Sequence, residues 1–272
     1  MIIDGHVHIC EPPYTQDKLT VKIADGTTIG WNNLRADASA ERLLHDMDES
    51  RVDRAIIMGL SGVVSNEFLS DVVKSHPGRL YGFAWVDNPR DGSGSVRQLE
   101  KAVKELGLKG LKLHPSIQAF TPSDAEILPL VRRAAELRIP VLIHSYPWPP
   151  GYFANNLPEH IDALKKRVPE ATLIVGHMGM QRFMDLISIA PQPGVYVETS
   201  WGLTLAAELF GVDFATRFVR RIGIERVIFG SDWFGFNSER HNQINLIQKM
   251  DLTREEKERI LGENVRNILE AR

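Results

Sequence analysis

Short, nearly continuous apolar runs alternate along this chain with longer stretches in which apolar side chains return every three or four positions. A short unbroken run reads as a strand buried on both faces, and the three-to-four period reads as an amphipathic helix. The runs are Met1-Ile-Ile-Asp-Gly-His-Val-His-Ile9, Asp53-Arg-Ala-Ile-Ile-Met-Gly59, Leu80-Tyr-Gly-Phe-Ala-Trp-Val86, Gly110-Leu-Lys-Leu-His114, Pro140-Val-Leu-Ile-His144, Thr172-Leu-Ile-Val-Gly-His177, Val195-Tyr-Val-Glu-Thr199 and Arg226-Val-Ile-Phe-Gly-Ser-Asp232. Between and after them the pattern predicts helices near 40–50, 66–75, 96–106, 125–137, 159–167, 181–189, 203–222 with a break at Gly211, 238–249 and 254–272. Ser39 is placed to cap the first helix, with Leu43, Leu44 and Met47 on one face, and Pro77-Gly78 stops the second. Eight strand-like runs alternating with helices predict an α/β fold, a (β/α)8 TIM barrel forming one domain over residues 1–272. An open doubly wound sheet is the alternative, but no glycine-rich phosphate loop follows the first strand.

One segment breaks the alternation. Between Cys10 and Asp37, Leu19-Thr-Val-Lys-Ile23 and Thr27-Thr-Ile-Gly-Trp31 flank Asp25-Gly26, a hairpin signal. A hairpin-like insertion directly after the first strand is expected at the barrel mouth as a lid or pocket wall, with Trp31 as its ligand-touching residue. The plainer reading is a surface hairpin.

Composition narrows the class of protein. The chain of 272 residues is 43% hydrophobic and 25% charged, with a net charge of −3 and a pI near 6.3. Neither nucleic acid nor an anionic membrane is expected as a partner. The single cysteine, Cys10, excludes an internal disulfide, and its neighbour Glu11 gives no cationic help toward a thiolate. No run reaches the roughly 18 apolar residues of a membrane span, and Asp4 and His6 interrupt the only apolar stretch near the N-terminus. A cytoplasmic protein is expected. Gly-x-Ser-x-Gly and Walker patterns are absent from the sequence.

The polar residues that close the strand-like runs carry the chemistry: His6 and His8, Lys112 and His114, His144, His177, Glu198 and Asp232. In a TIM barrel these positions lie on the C-terminal face, where active sites are built. His6 and His8 fall on one side of their strand, about 7 Å apart. Singly, each has a plain explanation. His6 and His8 can be a surface pair, His144 and His177 core histidines on carbonyls, and Asp232 a helix cap. Jointly, imidazoles and carboxylates converging on one rim point to a shared metal ion. The remaining histidines lack that placement. His45, His76 and His160 read as surface residues, while His241 with Arg240 either reaches over the mouth toward an anionic group or lies on a solvated helix face.

With these residues in hand, the sequence resembles the amidohydrolase superfamily, and more closely its amidohydrolase-2 branch of metal-dependent hydrolases and decarboxylases. The resemblance covers nearly the whole chain. It rests on Asp4-Gly-His-Val-His8, Leu43-Leu-His-Asp-Met-Asp48 with Val52-Asp-Arg-Ala, Gly82-Phe-Ala-Trp-Val-Asp87, Gly110-Leu-Lys-Leu-His-Pro115, Pro140-Val-Leu-Ile-His144, Gly176-His-Met-Gly179, Gly230-Ser-Asp232 and Gly262-Glu-Asn-Val-Arg266. It implies that His6, His8, His144 and Asp232 are metal ligands and that His177 and Asp232 are catalytic. The ion implied is Zn²⁺, with Mn²⁺ as the alternative, one per chain.

Some relatives in the superfamily carbamylate a strand-four lysine to bridge two metals. The branch usually holds one, so Lys112 or His114 is expected to contact a substrate carboxylate, with surface pairing of Lys112 to Asp124 or Glu126 as the competing placement. Trp201 and Trp233, directly after strands seven and eight, are expected to line the pocket with Trp31; barrel-rim packing is the alternative. The family often has Gly where this chain has Arg51, a change expected to matter little, and its decarboxylases tend to be longer. The implied activity is hydrolysis of an ester, lactone or amide of a small carboxylate-bearing substrate, aromatic ones included. The alternatives are non-oxidative decarboxylation of an aromatic or unsaturated acid and, further off, a non-catalytic ligand-binding barrel. Analogy with the family suggests a homodimer.

Overall fold

A computed structural model of the chain describes residues 1–12, 20–22, 28–30, 37–60, 62–146 and 153–270. The apolar runs form β1 (Ile3–Val7), β4 (Arg54–Met58), β5 (Leu80–Ala84), β6 (Gly110–Leu113), β7 (Val141–Ile143), β8 (Leu173–Val175), β9 (Val195–Glu198) and β10 (Val227–Ile228). They pair in parallel as an eight-stranded sheet in the order β1-β4-β5-β6-β7-β8-β9-β10. Gly5 N–H donates to the Phe229 carbonyl (2.9 Å), Asp232 N–H to His6 (2.8 Å) and His8 N–H to Trp233 (2.8 Å), which brings β10 back against β1. The fold is the expected (β/α)8 barrel. The hairpin insertion is present as the antiparallel pair β2 (Thr20–Lys22) and β3 (Thr28–Gly30), with Val21 opposite Ile29. Its Asp25-Gly26 turn and Trp31 lie outside the described residues.

Around the barrel run α1 (Ala40–Glu49), α2 (Asn66–Ser75), α3 (Ser93–Lys104), α4 (Leu128–Glu136), α5 (Pro158–Arg167), α6 (Leu186–Ile189), α7 (Gly202–Phe210), α8 (Val212–Ile222) and α9 (Ser238–Lys249), then α10 (Arg254–Glu258) and α11 (Asn264–Glu270). Ser39 caps α1, its hydroxyl accepting the Arg42 N–H at 3.1 Å, a bond typically contributing about 1 kcal/mol. Gly211, at φ 87°, divides α7 from α8 as the sequence predicts. Two helices are broken where unbroken ones were expected. Residues Gly176–Asp185 form an irregular tight coil that leaves only Leu186–Ile189 as α-helix. A π-type turn at Arg259–Glu263 separates α10 from α11. Among the described residues no helix is long and apolar enough to cross a membrane.

Side-chain alternation splits the core in two. Ile3, Ile56, Met58, Phe83, Leu142, Ile174 and Ile228 fill the barrel interior, joined by Val265 and Ile268 of α11. Their strand neighbours Ala55, Ile57, Ala84, Leu111, Leu113, Val141, Ile143, Val175 and Val197 pack outward under the helices. Each fully buried aliphatic side chain contributes about 1.5–3 kcal/mol.

The first strand departs from strict alternation, and the departure matters. Asp4 pairs with Ala55 but Val7 with Ile57, so β1 carries one residue more than β4 over that step, a β-bulge. Ile3 faces the interior, and Val7 belongs to the outer layer. Without the extra residue, His6 and His8 would share the outward face of Asp4. With it they turn inward.

Candidate active site

The inward positions that continue the interior layers toward the C-terminal ends are polar. Lys112 and His114 of the β6 edge, His144 after β7, Glu198 of β9, His6 of β1 and His8 just beyond it are all buried. His6 Nε2 and His8 Nε2 lie 3.5 and 3.3 Å from Asp232 Oδ1. His6, His8 and Asp232 thus present one donor atom each, all within 4.8 Å of one another.

Glu198 organises this corner. His6 Nδ1–H donates to Oε2 at 2.8 Å, the His177 N–H to Oε2 at 3.1 Å, the Ser200 hydroxyl to Oε2 at 2.9 Å, and the Ser200 N–H to Oε1. Burial pushes the carboxyl above its ordinary range and these hydrogen bonds oppose it. Four donors on two oxygens suit an acceptor-only carboxylate. Gly230 makes room for it, since a Cβ there would sit 2.3 Å from Oε1. Because His6 spends its Nδ1 proton on Glu198, its Nε2 lone pair points to the cluster, the orienting arrangement typical of metal-binding histidines.

Lys112 faces that lone pair, Nζ 2.9 Å from His6 Nε2. It is 1% exposed, which excludes the surface pairing. Glu126 instead meets Arg90, and Asp124 accepts the Thr121 N–H. Burial lowers Lys112 to about 8, against the pull of Asp232 and Glu198. Burial also holds His6, His114 and His144 well below the usual imidazole range and brings His177 to about 3, so the rings are neutral near pH 7. Asp232 stays ionised: burial works against it, but His6, His8 and His177 hold its carboxyl well below the ordinary value.

His144 stands beside the three-residue group rather than in it. Its Nε2–H donates to the Tyr146 carbonyl (2.9 Å), leaving Nδ1 to accept from His177 Nε2 (2.8 Å). His114 stacks on the His144 ring at 3.7 Å, so both Lys112 and His114 point inward. Ser200 Oγ lies 2.9 Å from His177 Nδ1. With its one hydroxyl proton on Glu198, Ser200 meets His177 Nδ1 without a second proton to donate, so the hydrogen-bonded pairs Glu198–Ser200 and His177–His144 abut at this contact.

The backbone at this rim is unusual. His177, Met178 and Gly179 are successive left-handed residues (φ 55°, 49° and 68°), and Trp201 and Asp232 follow at 58° and 53°. Non-glycine residues there cost about 1–3 kcal/mol each and gather at functional sites. Gly202 permits the first of these turns, because a Cβ on it would lie 2.3 Å from the His177 carbonyl oxygen.

Three expectations need correction. Trp233 does not line the pocket. It forms an isolated parallel bridge with Val7 beyond the end of β10, packs in the outer layer as Val7 does, and donates its indole N–H to Asp46 of α1 at 3.0 Å. Arg240 does not reach over the mouth: it is fully buried and pairs with Asp4 at 2.9 Å, and Ser231 also donates to that carboxylate. The neighbouring His241 is exposed and meets Ser50. Arg51 is not a neutral change, since its φ of 55° is a conformation that suits glycine. Trp201 does stand at the site, with its indole N–H on Asp232 Oδ2 at 3.0 Å. Cys10 is buried and its thiol is pushed up to about 12, chiefly by burial, which removes it as a nucleophile. Sequence reasoning placed Glu198 on the rim without a role and missed Ser200; the alternation Glu198-x-Ser200 at a strand end was the available signal.

The amidohydrolase family model matches residues 3–270. The chain belongs to the amidohydrolase-2 family, a metal-dependent family. No curated protein matches it by sequence. Among solved structures it is similar to an uncharacterised TIM-barrel protein of Bordetella bronchiseptica, at 17% identity over 98% of each chain with a TM-score of 0.76. It is also similar to a dihydroxybenzoic acid decarboxylase of a Polaromonas species with bound manganese and the inhibitor 2-nitroresorcinol, at 19% identity, 98% of this chain, 96% of that one and a TM-score of 0.72. A third is a probable 2-pyrone-4,6-dicarboxylic acid hydrolase of Acinetobacter baumannii with citric acid bound, at 18% identity over 98% of each chain and a TM-score of 0.68. Hydrolases and decarboxylases thus share this fold.

Proposed function

We propose that the chain is a metal-dependent hydrolase acting on an ester, lactone or amide of a small carboxylate-bearing, aromatic-type substrate. The observation that carries it is the convergence of His6 Nε2, His8 Nε2 and Asp232 Oδ1 within 4.8 Å beside the buried Lys112 ammonium. Two imidazoles and an ionised carboxylate fit a divalent cation, Zn²⁺ first and Mn²⁺ second. These three residues would hold it, with His144 as a further ligand once its Nδ1 is free of His177. When bound, such an ion polarises a substrate oxygen and makes water more acidic.

The chain's own groups do the rest. Asp232 Oδ1 takes the proton of the attacking water. Lys112 Nζ and His114 face the same space and bind the substrate carboxylate or the oxyanion that develops. His177, held through its backbone N–H on Glu198, offers its Nε2–H as a hydrogen bond to the developing oxyanion once released from His144, and the proton that Asp232 took from the water goes on to the leaving group.

The second reading is non-oxidative decarboxylation, supported by the fold shared with the manganese-containing decarboxylase. In that case Lys112 and His114 would hold the acid, and His177 or Asp232 would pass a proton taken from water to the carbon that loses the carboxylate. A substrate screen that follows ring opening or ester cleavage alongside CO₂ release decides between them. CO₂ evolution without hydrolysis would overturn the first reading. In keeping with either, we read the protein as a cytoplasmic homodimer whose partner is a small-molecule substrate.

A further inference from the structure

We infer that Trp201 is a positioning residue for Asp232: its indole N–H fixes which carboxylate oxygen faces the histidines, and Glu239 of α9 holds the backbone that aims it. The inference rests on reading His6, His8 and Asp232 as the metal-holding group.

A carboxylate on a short side chain has a soft terminal torsion. With both oxygens free, it would sample orientations that present either oxygen, or both, to the cluster. Here the oxygens differ in kind. Trp201 Nε1–H donates to Oδ2 at 3.0 Å, while Oδ1 faces His8 Nε2 at 3.3 Å and His6 Nε2 at 3.5 Å. The bond to Oδ2 pins the carboxylate plane and leaves a single oxygen for the shared site.

Trp201 reaches Asp232 only because its backbone is left-handed, at φ 58° and ψ −43°. Something must hold that conformation, and Glu239 is placed to do so. Its Oε1 accepts the Trp201 N–H at 3.0 Å, the Thr204 hydroxyl at 2.9 Å and the Gln243 amide at 2.7 Å. Glu239 is 4% exposed, so these bonds form away from competing water. A tryptophan that only walled a pocket would need neither the N–H contact nor this anchor.

The test is metal affinity in chelator-stripped protein, titrated with Zn²⁺ against a competing chelator, with the visible spectrum of the Co²⁺ form as a second readout. Trp201→Phe keeps a ring and deletes the donor. It should bind Zn²⁺ about 10–100-fold more weakly, the range for partners that orient a ligand, and should alter the Co²⁺ spectrum. Glu239→Ala should also weaken binding, and Glu239→Gln, which keeps an acceptor oxygen, should restore it. Wild-type affinity and spectrum in Trp201→Phe would overturn the inference. If that variant does not fold, wild-type affinity in Glu239→Ala does the same. A wild-type protein that binds no metal would instead remove the underlying reading.

Discussion

Asp232 and the histidines around it show how far single residues determine this site. Strands that run apolar and end on histidine or aspartate were legible from the sequence, because burying such groups without partners is costly. What each side chain does next was not legible, since that depends on which face the backbone presents. Trp201 and Trp233 each follow a strand end, yet a left-handed backbone turns Trp201 onto Asp232 while Trp233 bridges Val7 and bonds Asp46 of α1. Arg240 reads as a surface arginine on a polar helix and is in fact fully buried against Asp4. Arg51 gives a prediction at this scale. At φ 55° it occupies a position where glycine carries no steric penalty, so Arg51→Gly should stabilise the fold by about 1 kcal/mol. Urea denaturation of the two proteins measures this, and an equal or lower midpoint would count against it.

Among the elements, β1 and the coil after β8 set the geometry. The bulge in β1 turns His6 and His8 inward, and no sequence signal marks it beyond Gly5, where a Cβ would lie 2.8 Å from Ile228. The helix expected over 181–189 forms only at Leu186–Ile189. Its apolar spacing is helical, but Met180 (φ 44°) and Arg182 (φ −101°, ψ 17°) leave the helical range within the coil Gly176–Asp185, which packs against α7, an override by tertiary contact that local propensity does not register. Gly202 is the contact point. Gly202→Ala should push against the His177 carbonyl, cost about 1–3 kcal/mol of stability and lower turnover. A variant with wild-type melting and activity would show that α7 can shift without disturbing His177.

For the whole molecule, the alternating pattern was enough to give the barrel, because eight buried parallel strands with intervening helices close in few ways. The barrel in turn imposes a pH dependence. His6, His114, His144 and His177 are buried neutral, with folded pKa values below that of the unfolded chain, His177 at about 3. As pH falls below about 6.5 the unfolded chain takes up protons that the folded protein refuses, so stability is full above that pH and is lost as the pH drops toward 3. Each such histidine contributes about 1.4 kcal/mol per pH unit inside that window. Chelator-treated protein should therefore show a denaturation midpoint that falls steeply between pH 6.5 and 4.5; a flat profile would mean that the cluster is charged in the folded state.

The central claim is that His6, His8 and Asp232 hold a catalytic divalent cation. Its most direct test is the metal content of protein purified without chelator, beside His6→Ala and Asp232→Asn. The account predicts about one Zn²⁺ or Mn²⁺ per wild-type chain and a loss from both variants. A wild-type protein free of metal, with stability and activity indifferent to added Zn²⁺ or Mn²⁺ and to both substitutions, would contradict it.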